Sequence, residues 1–342
     1  MVDAKNKEEH IIIDIENPQL WWPNGYGKQP LYDINVSLLN DDIVLDSRTL
    51  KLGLRTINVR REDDEWGQSF TFVVNGTEVF LMGADYIPED SLLARCSRER
   101  TEKLLKDCIK ANFNCVRVWG GGTYPNDYFY EICDELGLLV WQDFMFACMI
   151  YDLTDEFVDN IKKEFVDNIR RIRHHASLAI WCGNNEIELG LSDEWIPDNK
   201  KAREDYLRQF NDIIPSVLKE EDADTFYWPS SPSARGDFDN PNCDNIGDMH
   251  YWGVWHDTEP FTYYRKYFPR FMSEFGLQSF PGIKTVESFT LPEDRNIFSP
   301  VMESHQKNST CNAKILHYIS ETYRYPKDFE SLLTVSQLIQ AE

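Results

Sequence analysis

A chain of 342 residues can hold one large domain with a substantial core and a smaller unit beside it. Its 42% hydrophobic and 13% aromatic content excludes disorder, and its formal charge of −23 excludes nucleic acid and anionic membrane surfaces, which would repel it. Ten Trp and sixteen Tyr exceed what a core needs, and flat sugar rings stacking on aromatic faces are one explanation of the surplus.

The opening MVDAKNKEEH has no apolar signal region, and no run of 18 apolar residues follows, so the chain reads as soluble, with no membrane partner. The eight cysteines (96, 108, 115, 133, 148, 182, 243 and 311) form no C-x-x-C pair, as zinc or redox chemistry would need. They are expected to be reduced, buried thiols of a cytoplasmic protein.

From residue 10 to about 62, HIIIDIE, LYDINVSLL, IVLDSRTLKLG and RTINVRR alternate apolar and polar residues with period two, as antiparallel strands with one buried face do. An immunoglobulin-like sandwich needs about seven strands over roughly 100 residues. Four or five are present, so residues 1–62 are assigned to a partial immunoglobulin-like β-sandwich.

A hairpin with an Asn75-Gly76 turn follows, and then the rhythm changes. Strands are expected at 80–88, 115–121, 138–145, 178–185, 225–231, 248–252 and 270–276, with helices at 97–112, 127–137 and 156–175 among them. Strands alternating with helices imply parallel pairing, and a repeated βα unit over this length points to an α/β fold of the (β/α)8 TIM-barrel type. Residues 63–342 form this expected barrel, with the count stopping at seven strands and SLLTVSQLIQAE reading as the start of the seventh outer helix, so the eighth unit is expected to be missing. EFVDNI occurs twice, at 156–161 and 164–169, and an offset of eight residues is about 80° out of helical phase, so the copies are not expected to share a face.

In such a barrel the chemistry sits at the carboxyl ends of the strands. The polar residues there are Asp85, Arg117, Trp119, Asp143, Asn185, Glu186, His250, Tyr251 and Glu274. Glu186 and Glu274 each close a strongly apolar strand, and a carboxylate pair is what glycoside hydrolysis needs: a proton donor to the leaving oxygen, and a nucleophile or base. Two close carboxylates cannot both ionise easily, and which one keeps its proton stays open on spacing alone. The bland reading makes each glutamate a helix N-cap neighbour or a solvated loop residue. GGGTY at 120–124 lacks phosphate-loop spacing and reads as close backbone packing beside a pocket. His174 and His175 are adjacent, which points them apart on a helix, and no metal site is expected.

WWPNGYGKQPLY, GLRTINV, NCVRVWGGG, LLVWQDFMFAC, RHHASLAIWCGNNE, DMHYWGVWH, FMSEFGLQSFP and SPVMESHQKN resemble, in this order, the β-mannosidases of glycoside hydrolase family 2. The resemblance runs over nearly all of the chain. It implies a retaining exo-glycosidase that removes terminal β-D-mannosyl residues from an oligosaccharide or β-mannoside, with no metal or organic cofactor. Glu186 would be the acid/base and Glu274 the nucleophile. Asn185 would hydrogen-bond the sugar 2-hydroxyl, and Trp119 would pack against the sugar. Asp143, Arg117 and Tyr251 would line or support the pocket, and Trp195 would form a wall of it. The first strand end departs from the family, with Gly83-Ala84-Asp85-Tyr86-Ile87-Pro88 in place of Gly-Ala-Asn-Trp-Ile-Pro. Family members also carry a jelly-roll domain in front and continue past the seventh unit, so a poorly active or inactive fragment is expected, unless a partner chain or a rearranged edge closes the barrel. The alternatives are β-galactosidase or β-glucuronidase activity on the same scaffold, and a non-catalytic sugar-binding fragment. The oligomeric state is left undetermined.

Overall fold

Period-two alternation makes the first paired strands. In the computed structural model, which describes residues 11–193 and 195–342, Tyr32–Asn40 runs antiparallel to Ile43–Leu52, with a register shift between Leu38 and Leu39. Val36, Leu38, Val44 and Leu45 are exposed. The expected single buried face is therefore not formed over most of this hairpin: among the described residues neither face is covered, and alternation without a second layer does not become burial. The strand expected at 10–16 is also absent over 11–16, while His10, like the rest of MVDAKNKEEH, lies outside the described residues.

The chain divides into two compact units, Met1–Pro241 and Asn242–Glu342. In the first, Ile57–Arg60, Thr71–Val74 and Thr77–Val79 form a three-stranded antiparallel sheet. Asn75 and Gly76 turn its tight hairpin with φ of 50° and 79°, the doubly positive conformation such a turn needs.

Next comes a five-stranded parallel sheet whose spatial order follows the chain: Gly83–Tyr86, Cys115–Val118, Leu139–Asp143, Leu178–Cys182 and Tyr227–Trp228. The three central strands are buried at every position, which is why they read as mostly apolar runs, interrupted by Arg117 and Gln142, rather than as alternation. Helices Arg98–Lys110, Asp127–Leu136 and Asp155–Ile172 connect the strands. Ser97 and Thr154 cap the first and third through their side-chain oxygens, and Gly137 ends the second in the left-handed region at φ 77°. Val116, Val118 and Val140 share a core cluster with Phe129, Phe144 and Phe165. Elsewhere in this unit Phe70 lies with its ring centroid 4.9 Å from Trp228 and 6.2 Å from Trp141.

Helix Asp155–Ile172 buries Val158, Ile161, Phe165, Ile169 and Ile172. The EFVDNI copies therefore differ in using Val158 in one and Phe165 in the other. They also share a buried isoleucine, because an apolar stripe about 100° wide accommodates the 80° offset. His174 and His175 do not point apart: the helix has ended before them, and their ring centroids are 4.2 Å apart. His175 Nδ1 lies 2.6 Å from Asp134 Oδ2, and burial, followed by the neighbouring His175, pushes His174 down to about 4.

In the second unit Met249–Tyr251 pairs in parallel with Met272–Phe275. Helices Cys311–Thr322 and Phe329–Ala341 contribute Ile315, Tyr318 and Leu333 to a core with Met249, Tyr251 and Val254. All seven strands expected from residue 80 onward are thus present, five in one parallel sheet and two paired in the second unit, and the molecule is α/β. Among the described residues no helix is long and apolar enough to cross a membrane.

Candidate active site

Strand register brings the first polar group together. Asp85 and Trp141 both pair with Arg117, and Asp143 follows Trp141 by two residues, so it projects from the same face of the sheet. Arg117 Nη2 donates to Asp143 Oδ2 at 2.9 Å and to Asn185 Oδ1 at 2.7 Å, while Nη1 reaches Asp85 Oδ1 at 3.3 Å. Asp143, with no solvent exposure, also accepts from the Gly120 N–H at 3.0 Å and Trp141 Nε1 at 2.9 Å. A buried guanidinium is tolerable only with paired charge and filled hydrogen-bond sites, and this cluster provides both.

The strand Leu178–Cys182 ends in Asn184-Asn185-Glu186, and each residue is tied differently. Asn184 Oδ1 accepts from the Ile187 N–H at 3.0 Å and Ser230 Oγ at 2.8 Å, and Nδ2 donates to the Pro229 carbonyl at 3.0 Å. The Asn185 N–H donates to the Phe146 carbonyl at 2.9 Å and the Glu186 N–H to the Ser231 carbonyl at 2.8 Å. Glu186 occupies the N-cap position of helix Ile187–Ser192 at φ 59°, yet its side chain makes no capping bond. Asn184 bonds the first helical N–H instead, which leaves the Glu186 carboxylate out of a capping role.

Cys148 is exposed and Cys96, Cys108 and Cys243 are half-buried, contrary to the expectation of buried thiols, although all eight cysteines are free. The Cys148 sulfur accepts from Asn185 Nδ2 at 3.3 Å and its thiol donates to Glu186 Oε2 at 3.7 Å. Two residues past Glu186, Glu188 is fully buried and bonded to the Tyr206 hydroxyl at 3.2 Å and the Phe238 N–H at 3.1 Å. Burial pushes its carboxyl up to about 7 despite these donors.

The triple glycine has a steric basis. A Cβ on Gly120 would meet the Phe144 and Phe146 carbonyl oxygens at 2.8 and 2.7 Å, and one on Gly121 would fall 2.0 Å from the Trp119 ring. Half-buried Trp119 thus has the outer edge of its ring in the space that a side chain at Gly121 would occupy. Trp195 is 48% exposed, and its ring lies close to Gly190.

In the second unit, His250 pairs with Glu274 across the two parallel strands. Glu274, 8% exposed, has Oε2 3.2 Å from Trp252 Nε1, which donates to it, and 3.5 Å from His250 Nδ1. Asn242 holds the His250 backbone at both its N–H and its carbonyl, at 2.8 and 2.9 Å. Tyr251 is buried in the core and donates to Glu259 Oε2 at 2.6 Å; burial, then this carboxylate, raise its hydroxyl above the ordinary tyrosine value.

Arg117, Asp143, Asn185 and Glu186 therefore stand in one connected network in the first unit, and Glu274 stands with His250 and Trp252 in the second. Trp195 belongs to neither set of bonds. Sequence reasoning missed the roles of Cys148 and Asn184 and the pairing of Asp85 with Arg117; a polar residue facing a buried arginine across adjacent strand ends was the available signal for Asp85. Chemically, the first network holds a carboxylate beside an amide whose oxygen is already committed to Arg117, leaving amide hydrogen for a ligand. The second holds a nearly buried carboxylate with the Trp252 ring N–H and the His250 imidazole beside it.

The sequence profile of the glycosyl hydrolases family 2 matches residues 1–55. Beta-mannosidase B of Aspergillus oryzae is 38% identical across 99% of this chain, which covers 41% of that protein. Beta-mannosidase B of Aspergillus niger is 38% identical across 97% of the chain and 40% of its own length. The crystal structure of a beta-D-mannosidase from Dictyoglomus thermophilum superposes with a TM-score of 0.89 at 40% identity, over 95% of this chain and 40% of that one. The chain spans about two fifths of the length of the curated relatives it matches.

Proposed function

We propose, for a chain that belongs with the β-mannosidases of glycosyl hydrolase family 2, that it hydrolyses terminal β-D-mannosides with retention of configuration. Glu186 acts as acid/base and Glu274 as nucleophile. Glu274 attacks the anomeric carbon while Glu186 protonates the leaving oxygen; the glycosyl-enzyme ester is then opened by water that Glu186 deprotonates, returning both carboxyls to their starting states. Asn185 donates to the sugar 2-hydroxyl, Trp119 packs against the ring, and Arg117, Asp143, Tyr251 and Trp195 support or line the pocket. The scaffold of this reading is a (β/α)8-type barrel over 63–342 that lacks its eighth unit, behind a partial immunoglobulin-like sandwich over 1–62. Eight free thiols support a cytoplasmic setting.

The observation that carries the proposal is the Asn185-Glu186 tip. Its neighbour Asn184 takes over the helix-capping bond, so the glutamate carboxylate is not the helix cap where it stands. Arg117 orients the Asn185 amide by holding its oxygen.

Hydrolysis of nitrophenyl β-mannoside, β-galactoside and β-glucuronide is the first test, with the mannoside preferred. A 2-deoxy-2-fluoro-mannoside with a good leaving group should then label Glu274. Equal turnover of the three glycosides refutes the substrate assignment. Sugar binding without labelling refutes the mechanism and makes the chain a binding protein.

A further inference from the structure

Cys148 is the one exposed cysteine among the described residues, and it touches both members of the Asn185-Glu186 tip. Its placement is built rather than incidental. The Cys148 N–H donates to the Asn185 carbonyl at 2.9 Å and the Asn185 N–H to the Phe146 carbonyl at 2.9 Å, so the segment after strand Leu139–Asp143 is stitched alongside the tip. Cys148 itself sits at φ 54°, a left-handed conformation that a non-glycine residue adopts at a cost, as Glu186 does at 59°. Two such positions facing each other are held by the surrounding bonds, and they present the thiol to the carboxylate.

From this geometry we propose that Cys148 is a positioning residue for Glu186, resting on the acid/base role assigned above. The thiol has one hydrogen and accepting lone pairs. It gives the hydrogen to Glu186 Oε2 and receives one from Asn185 Nδ2, fixing the carboxylate relative to the amide that faces the sugar. Aligned proton transfer to the leaving oxygen depends on that carboxylate orientation, whereas attack by Glu274 does not.

The two steps separate by leaving group. A dinitrophenolate leaves without protonation, but the sugar alkoxide of β-mannobiose must be protonated as it departs. In Cys148→Ala, kcat/KM for β-mannobiose should fall about tenfold or more, a fraction of what general-acid catalysis contributes. For 2,4-dinitrophenyl β-mannoside, kcat/KM should stay within about twofold, while kcat and KM fall together as glycosyl-enzyme accumulates. Cys148→Ser, whose hydroxyl can donate and accept in the same way, should restore most of the β-mannobiose activity. Equal losses on both substrates, or no loss on either, overturn the proposal. If the alanine variant unfolds, the serine and wild-type proteins still decide it: a serine variant impaired equally on both substrates refutes positioning through Glu186. Failure of the wild type on every mannoside refutes the underlying assignment instead.

Discussion

Arg117→Met would remove a buried guanidinium from between Asp85, Asp143 and Asn185 while nearly keeping side-chain volume, so little cavity is left. The arginine side chain is 5% exposed and Asp143 is 0% exposed. The carboxylate would keep its bonds from Gly120 and Trp141 but lose the charge that makes its burial tolerable. Breaking a buried pair from one side costs about 3 to 5 kcal/mol, set against a net domain stability of roughly 5 to 15 kcal/mol. Adding Asp143→Asn removes the stranded charge, although its single oxygen keeps only one of these donors, because the Gly120 N–H bonds Oδ2 and Trp141 Nε1 bonds Oδ1; the double variant should still be about 1 kcal/mol more stable than Arg117→Met alone. Urea unfolding read by tryptophan emission suits the test, because Trp141, Trp181 and Trp228 are fully buried in the first unit. Comparing midpoints at unchanged m-value isolates stability. If Asp143→Asn lowers stability in the Arg117→Met background as much as in the wild type, the charge-pairing account is wrong.

Glu188→Gln should abolish a pH dependence. The folded-state carboxyl is raised from 4.5 to about 7, so the folded state holds its proton more tightly, and stability contributed below pH 4.5 is lost as pH rises to about 7. At ~1.4 kcal/mol per pH unit the loss is on the order of 3 kcal/mol; parallel wild-type and Glu188→Gln stability curves over that window would count against it. Gly120→Ala and Gly121→Ala should differ in kind. The first drives a methyl into two carbonyl oxygens and should lower stability by about 1 to 3 kcal/mol. The second meets the far edge of the Trp119 ring, which can swing away, so melting should change little while KM for a mannoside rises. The reverse pattern would show that Trp119 is not held by Gly121.

The parallel strands were legible because burial on both faces leaves only apolar residues between polar ends, as in Leu178–Cys182 before Asn184. Their strand ends were legible for the same reason, which is how Arg117, Asp143 and Asn185 could be singled out. The hairpin at 32–52 was misjudged in its burial because alternation records which face could be covered, not whether anything covers it. Cys148 escaped notice because composition makes a cysteine amid Phe144, Met145, Phe146 and Ala147 look like core. It is exposed and sits at a φ of 54°, and neighbouring residue types announce neither. The His174–His175 contact was hidden by a helix end: the pair was read on a helix that stops at Ile172.

Glu186 holds a backbone conformation, φ 59°, in which an asparagine or glycine would rest more easily, with a side chain other than glycine costing on the order of 1 kcal/mol or more. On the acid/base role proposed for Glu186, folding and chemistry rank residues oppositely at this one position. A library selected for thermal tolerance alone should drift toward Gly or Asn there, and one selected for turnover should return to glutamate. A proteolysis-based screen and a mannoside-growth screen of the same saturation library would part company at residue 186, even where they agree along the buried strand before it.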